Sequence, residues 1–561
     1  MKTSDRCTHT TVSKSSAART TRARKLYLAR LACSFCVFCV VTALSSWGQA
    51  LGNNNTVSFK TLFNFNGTDG AGPRGSLEQG LDGNFYGTTS GGGPGTGIFC
   101  SDGGCGTVFK LTPAGKETVL YNFCSQSDCT DGIGPTGNLV LATDGNFYGM
   151  TATGGLADCV AGSGCGTLFE ITPAGKLTTL HTFCAQTTCP DGGFPSWLVR
   201  GADGNFYGTT NFGGDGAQCN GGPKDELFCG TVFKLTPTGT LTTLYSFCSE
   251  TNCTDGAQPR FLLQAANGNF YGTTYGGGTN AVPPCNGGNQ PGCGTIFEIT
   301  SGGKLTTLYS FCSQTNCTDG LSPNSLVQAS DGNFYGTTSA GGVDCSEAEE
   351  GCGTVFEITA AGKFTTLYGF CAETNCTDGF APVGLLQATD GNFYGTTSGG
   401  GAYGGGTVFE ITQAGKLSTL YSFCFGAGCT APSTPNGLVQ ATNGNFYGTA
   451  GGGTSACEGF GCGTVFRLSA GLGPFVETLP TSGRVGAKVS ILGNNLSGTT
   501  SVSFNGTAAS FTIVSSTEIT TSVPKGATTG TLKVTTSSGT LDSNVAFQVT
   551  THGLLKAGME R

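Results

Sequence analysis

Six aspartates recur in one local setting along this 561-residue chain. Asp69, Asp131, Asp191, Asp255, Asp319 and Asp378 each fill a Thr-Asp-Gly or Pro-Asp-Gly triplet, and Ala431 holds the seventh equivalent position. If the segments that carry them close into a ring, six carboxylates surround one channel mouth. Carboxylates so arranged offer the hard oxygen ligands of Ca²⁺, or acceptors for a hydroxyl-rich ligand. The competing reading is that Asp-Gly only builds a turn. The metal stays unknown at this level, and no cofactor is required.

Cysteines form the second chemical constellation. Of 28, Cys7, Cys33, Cys36 and Cys39 lie in the first 50 residues. The other 24 fall into close pairs of two kinds. One kind is Cys124/Cys129, Cys184/Cys189, Cys248/Cys253, Cys312/Cys317, Cys371/Cys376 and Cys424/Cys429. The other is Cys100/Cys105, Cys159/Cys165, Cys219/Cys229, Cys285/Cys293, Cys345/Cys352 and Cys457/Cys462.

Connectivity is not normally legible in a sequence, but repetition supplies a control. Tyr403-Gly404-Gly405-Gly406 stands where one pair of the second kind belongs, and Asn66-Gly67-Thr68-Asp69-Gly70 where one of the first belongs. Partners vanish together, as local bonding requires. Zinc is the rival, yet zinc sites use Cys₄ or mixed Cys/His sets, and the chain has 3 His in all. Twelve local disulfides are expected, each closing a loop of about six residues and worth roughly 2 kcal/mol in the chain-entropy model.

Catalytic patterns are scarce. There is no Gly-x-Ser-x-Gly elbow, no His-Glu-x-x-His and no phosphate-binding loop. His9 lies near the start and His552 near the end, while His181 takes a slot that Tyr121, Tyr245, Tyr309, Tyr368 and Tyr421 fill elsewhere. A structural role is expected for it. Carboxylate-only hydrolysis needs two differently tuned acids, hence one odd copy of the repeat. The only cluster of that sort, Cys345-Ser346-Glu347-Ala348-Glu349-Glu350, reads as a solvated charge run.

The elements that must position these groups are repeats. The string Asp/Asn-Gly-Asn-Phe-Tyr-Gly begins at residues 82, 144, 203, 267, 331, 390 and 443. Each copy carries four short β-branched and aromatic segments bounded by Asn-Gly, Asp-Gly or Pro-Ala-Gly turns, the signal of antiparallel strands and hairpins. Four antiparallel strands repeated radially make a β-propeller blade. The array opens at Val57–Phe65 with a fourth strand and closes at Gly463–Leu468 with a third. Complementary fragments at the two ends predict a ring of seven four-stranded blades over residues 51–469, closed by the N-terminal strand. The Phe-Tyr pairs, Phe85/Tyr86 through Phe446/Tyr447, read as packing between blades rather than as sugar platforms. Disulfides and length variation both fall in the loops after strands two and four, which leave a propeller on one face.

At this point a resemblance becomes specific. DGNFYGTT…GTVFKLTPAGKLTTLYSF resembles the GloVer tandem repeat of bacterial exported choice-of-anchor proteins, which implies a secreted propeller-like array without a settled activity. The strand order is more distantly similar to NHL and virginiamycin-lyase propellers. From about residue 473 the composition changes to Thr, Ser and Val without Cys. Pro480, Ser482-Gly483, Gly486, Gly493, Val502-Ser503-Phe504-Asn505-Gly506, Pro524, Gly526 and Gly530 resemble an IPT/TIG immunoglobulin-like domain over 473–550. That resemblance implies a β-sandwich for spacing or protein contact, followed by a tail at 551–561.

Residues 1–50 hold eight Lys or Arg, one acid, the apolar run Leu31–Leu44, and Gly48 and Ala50 at −3 and −1. That is the pattern of a secretory signal peptide, so a secreted, cell-surface or periplasmic location is expected, with no membrane span after cleavage. Residues 51–561 then carry 19 − 34 = −15 formal charges, which disfavours nucleic acid as a partner. With 96 Gly and only 11% charged residues, helical folds are disfavoured as well. The expectation is an all-β, exported, non-catalytic propeller that binds an extracellular glycan or protein through one loop face. The alternatives are a carbohydrate-active hydrolase or lyase using channel-mouth carboxylates, and an adhesin-like module.

Overall fold

The computed structural model describes residues 57–94, 100, 104–155, 164–186, 189–216, 229–280, 292–342, 352–425, 432–452 and 462–550. The leader, the tail, the charge run at 345–350 and Ala431 lie outside the described residues. Seven four-stranded antiparallel sheets form the larger part. Blade 1 comprises Ala71–Gln79, Phe85–Gly91, Thr107–Leu111 and Glu117–Asn122, and blades 2 to 6 repeat that order. Blade 7 takes Pro435–Gln440, Phe446–Ala450 and Thr464–Ser469 from the end of the array and Ser58–Asn64 from its start. The joining pair is antiparallel, from Ser58 opposite Ser469 to Asn64 opposite Thr464.

First strands touch the first strands of both neighbouring blades all round the ring, so they line the central channel. Second and third strands are buried on both faces, and their aromatic residues knit the blades together. Tyr86 packs its ring on Phe147 of the next blade, and the relation repeats through Tyr148/Phe206, Tyr207/Phe270, Tyr271/Phe334, Tyr335/Phe393, Tyr394/Phe446 and Tyr447/Phe85. Centroid separations run from 4.0 to 4.4 Å. A second ring joins each strand-four Phe to the strand-three Phe of the next blade, from Phe65/Phe109 to Phe423/Phe466. The Phe-Tyr pairs are therefore core. The Gly after each Tyr is forced by this packing: a Cβ at Gly272 would collide with the Phe297 ring and the Phe261 carbonyl.

The remaining strands form two further four-stranded sheets and a short parallel pair. Val489 and Ile491 from one sheet share a core with Val502, Phe504, Leu532 and Val534 from the other, so this part is a sandwich. It rests on the propeller face that carries the Asx-Gly hairpins of strands one and two. Thr517 Oγ1 donates to the Leu81 carbonyl (2.8 Å) and Asn494 Nδ2 to Thr442 Oγ1 (2.6 Å). The Phe475 amide donates to the Thr442 carbonyl. The loop-bearing face of the ring lies opposite.

Candidate functional site

The crossing loops show why the six aspartates recur. After strand four of blade 1, Cys124 bonds to Cys129 across a short 3₁₀ turn, Ser127–Cys129, with their Cα atoms 4.1 Å apart. Asp131 follows and is fully buried. Its Oδ2 accepts from the Tyr121 hydroxyl at 2.8 Å and the Ser125 amide at 2.9 Å. Asp255, Asp319 and Asp378 repeat this with Tyr245, Tyr309 and Tyr368, each at 2.8 Å. Burial, then the adjoining carboxylate, push the Tyr245 and Tyr368 hydroxyls above their ordinary pKa, which keeps them protonated and donating. Burial raises Asp255 as well.

Asp191 meets His181 Nε2 at 2.9 Å in the same geometry, so the imidazole replaces the phenol as the strand-four partner. Asp69 has no cysteine loop around it and is capped instead by the Asn66 amide at 2.8 Å. A shared carboxylate site at the channel mouth is thus not what this geometry builds. Each Asp is taken up by donors of its own loop, and among the described residues no three carboxylates approach closely enough to hold one ion.

The disulfides sit beside these aspartates. Cys100–Cys105, Cys124–Cys129, Cys184–Cys189, Cys248–Cys253, Cys312–Cys317 and Cys371–Cys376 are bonded within their loops. Cys165, Cys229, Cys293, Cys352, Cys424 and Cys462 are also disulfide-bonded. Their expected partners Cys159, Cys219, Cys285, Cys345, Cys429 and Cys457 lie outside the described residues. The sulfurs of the two cysteine pairs in a blade converge: those of Cys165, Cys184 and Cys189 lie within 4.8 Å of one another. Blade 6 lacks the strand-two loop pair and blade 7 lacks the crossing-loop pair, which suits bonds made two by two and not Cys₄ sets.

Each loop is also sewn to the next blade. The Cys105 carbonyl accepts from the Gly134 amide, Cys229 from Gln258, Cys293 from Ser322 and Cys352 from Ala381. The donors are left-handed, with φ of 55° at Gln258, 54° at Ser322 and 49° at Ala381. Non-glycine residues in that region carry roughly 1–2 kcal/mol of strain each, held in place by the surrounding bonds. One proline further on, a short polar residue donates to the proline carbonyl of the following blade. Thr136 reaches Pro195 (3.0 Å), Ser196 reaches Pro259 (3.0 Å), Asn324 reaches Pro382 (2.6 Å) and Asn436 reaches Pro73 (2.8 Å). Arg74, Arg260 and Val383 occupy that slot in the other blades. The two arginines are legible in the sequence as departures from the repeat at the position after the strand-one proline.

At the opposite face two glutamates meet between propeller and sandwich. Burial and the Glu477 carboxylate push Glu78 up to about 8, and burial pushes Glu477 up to about 7. Asn544 Nδ2 donates to Glu477 Oε1 at 3.0 Å.

Comparison with known proteins adds a family and a set of distant folds. The model for the Gloeobacter/Verrucomicrobia repeat matches residues 51–283, 216–459 and 284–514. No curated protein matches the chain. Among solved structures, a fungal alcohol oxidase of the AA5 family in complex with copper is 13% identical, covers 89% of this chain and 100% of its own, and gives a TM-score of 0.48. The extracellular domain of a protein described as a one-component system from B. thetaiotaomicron is 10% identical, covering 90% of this chain and 59% of its own, with a TM-score of 0.43. A protein described as a gluconolactonase from Xanthomonas campestris is 11% identical, covers 71% of this chain and 98% of its own, with a TM-score of 0.34.

Proposed function

The chain belongs to the Gloeobacter/Verrucomicrobia repeat family, and on that premise we propose that it is an exported, non-catalytic propeller that binds an extracellular ligand on its disulfide-bearing face. One observation carries this reading. The sandwich occupies the hairpin face through Leu81 and Thr442, leaving the face of variable, disulfide-pinned loops as the open one. The described crossing loops, each fixed by a disulfide and a buried carboxylate around Asp131, Asp255, Asp319 and Asp378, are preorganised, which lowers the entropy lost on binding. Surface loops on a rigid scaffold are where binding residues concentrate.

The disulfides fit an oxidising extracellular or periplasmic compartment, and the leader at 1–50 is read as a cleaved signal peptide. The C-terminal sandwich is read as an IPT/TIG domain. Gly486, Gly506 and Gly526, quoted for that resemblance, hold φ of 85°, 85° and 87° at its turns. Among the described residues no helix is long and apolar enough to cross a membrane. His181, the one described imidazole, is engaged with Asp191 as the phenols are elsewhere, which favours binding over acid–base chemistry.

The test is an array of extracellular glycans and proteins probed with the full chain, with and without Ca²⁺. Specific capture with captured molecules of unchanged mass is expected. Shortened or unsaturated products would overturn the non-catalytic reading and favour the hydrolase or lyase.

A further inference from the structure

Blade 4 breaks the repeat at two neighbouring slots, and the two changes meet in space. At the slot after the strand-one proline, four blades place Thr136, Ser196, Asn324 and Asn436, each bonded to the next blade's proline carbonyl. At the slot after Thr-Thr in strand two, Ser90, Ser339 and Ser398 donate to strand one, at 3.0, 3.1 and 3.2 Å. Blade 4 gives up both arrangements and installs Arg260 and Tyr275. The Arg260 guanidinium lies over the Tyr275 ring, with Cζ 4.0 Å from the centroid.

This pair has the features of a binding group and not of a packing group. Tyr275 is 38% exposed, one of few large hydrophobic side chains on the described surface. Arg260 is also exposed and lies on an innermost strand. Surrounding protein nonetheless lowers its pKa below the usual arginine value, as expected in a concave setting. Among the described residues no carboxylate pairs with it. An uncompensated cation in a chain of net charge −8 is poorly explained by stability alone. Stacking on the phenol fixes the guanidinium plane and leaves its in-plane N–H fork free for a bidentate acceptor.

Further along the first strands of blades 3 and 4, the Trp197 and Phe261 rings lie 4.4 Å apart, tilted by 36°. Both are half-buried, where blades 5, 6 and 7 have Ser325, Gly384 and Gly437. This sector of the first-strand wall thus combines an aromatic pair, packed in part against the blade cores, with Arg260 directly preceding Phe261 in the chain.

We propose that Arg260, Tyr275, Trp197 and Phe261 form a subsite for a carboxylate-bearing sugar, the uronic acid unit of an acidic polysaccharide. The carboxylate takes the guanidinium fork as two charge-assisted hydrogen bonds. The apolar C–H face of the pyranose lies against an aromatic ring, and its hydroxyls meet the polar wall. The assignment deepens the proposed function and rests on the loop-bearing end of the ring being the ligand-binding end.

Trp197 makes the test direct, because the chain's 2 Trp are Trp47 and Trp197. The full chain carrying Trp47→Phe is titrated with trigalacturonate and with a neutral galactotriose, reading indole emission. A saturable change with the acidic trisaccharide is expected, at an affinity about tenfold or more above the neutral one. Arg260→Gln is expected to weaken trigalacturonate binding by about tenfold and Tyr275→Ala by about fivefold, with unchanged melting temperatures. Equal affinity for the two trisaccharides, or an Arg260→Gln variant that binds as the parent does, overturns the assignment. If a neutral glycan or a protein is captured on the array while trigalacturonate leaves Trp197 unmoved, the subsite fails and the broader reading stands. Capture of nothing, together with a silent titration, removes both.

Discussion

The Tyr447 ring packs against the Phe85 ring with centroids 4.0 Å apart, joining the last blade of the array to the first. It is the same contact that joins every other pair of neighbours, so ring closure uses no special device. Beside it, Ser58–Asn64 supplies the outer strand of blade 7 without a covalent link to that blade's other strands.

Both rings are fully or nearly fully buried, so Tyr447→Ala is expected to cost about 3–5 kcal/mol, the usual range for a large aromatic deleted from a core. Denaturant unfolding of the variant checks this. A cost near that of Tyr394→Ala is expected if closure is one joint among seven, and both variants are expected to unfold in a single transition.

Asp319→Ala removes a buried carboxylate, leaves the Ser313 amide without its acceptor and leaves the Tyr309 hydroxyl with Ser313 Oγ alone as its partner. A loss of about 1–3 kcal/mol is expected for such orphaned donors. Because the carboxylates serve their own loops, Ca²⁺ is expected to shift the melting temperature of parent and variant alike by nothing measurable. A calcium-dependent shift lost on substituting these aspartates would restore the metal reading.

His181→Tyr returns the strand-four partner that the aspartate has in four other copies and is expected to preserve stability within about 1 kcal/mol. His181→Phe removes the group that meets Asp191 at 2.9 Å and is expected to be the less stable of the two. Thermal melts of the pair decide it.

The two half-buried glutamates between propeller and sandwich set a pH dependence. Glu78 holds its proton up to about 8 and Glu477 up to about 7, against 4.5 for an ordinary glutamate. Between those limits the folded chain binds more protons than the unfolded chain, so stability falls as pH rises. Glu78→Gln is expected to flatten that fall and to gain most over the parent at pH 8. Melting curves at pH 5 and pH 8 measure it, and equal gains at both values would contradict the assignment.

Much of the fold was legible because it is written several times over. The half-units at Val57–Phe65 and Gly463–Leu468 identified the closing strand, and Ser58 opposite Ser469 bears that out. The aspartates were harder, because a carboxylate's donors are set by tertiary structure. One signal was present: Tyr121/Asp131, Tyr245/Asp255, Tyr309/Asp319, Tyr368/Asp378 and His181/Asp191 all share a spacing of 10. A fixed spacing between a donor and an acid points to a local bond rather than a shared ligand. The Arg260–Tyr275 stack joins two strands of one blade, and only the register of the sheet brings them together. The meeting of Glu78 with Glu477 depends on how the sandwich docks, which no repeat encodes.

The central claim, that the loop-bearing face is the binding face, is tested most directly by hydrogen exchange on the full chain with and without a ligand the array captures. Slower exchange is expected in the crossing loops around Cys124–Gly134 and Cys248–Gln258, with the hairpin turns around Asp82 and Asp390 unchanged. Protection confined to the hairpin turns or to the sandwich would contradict the account.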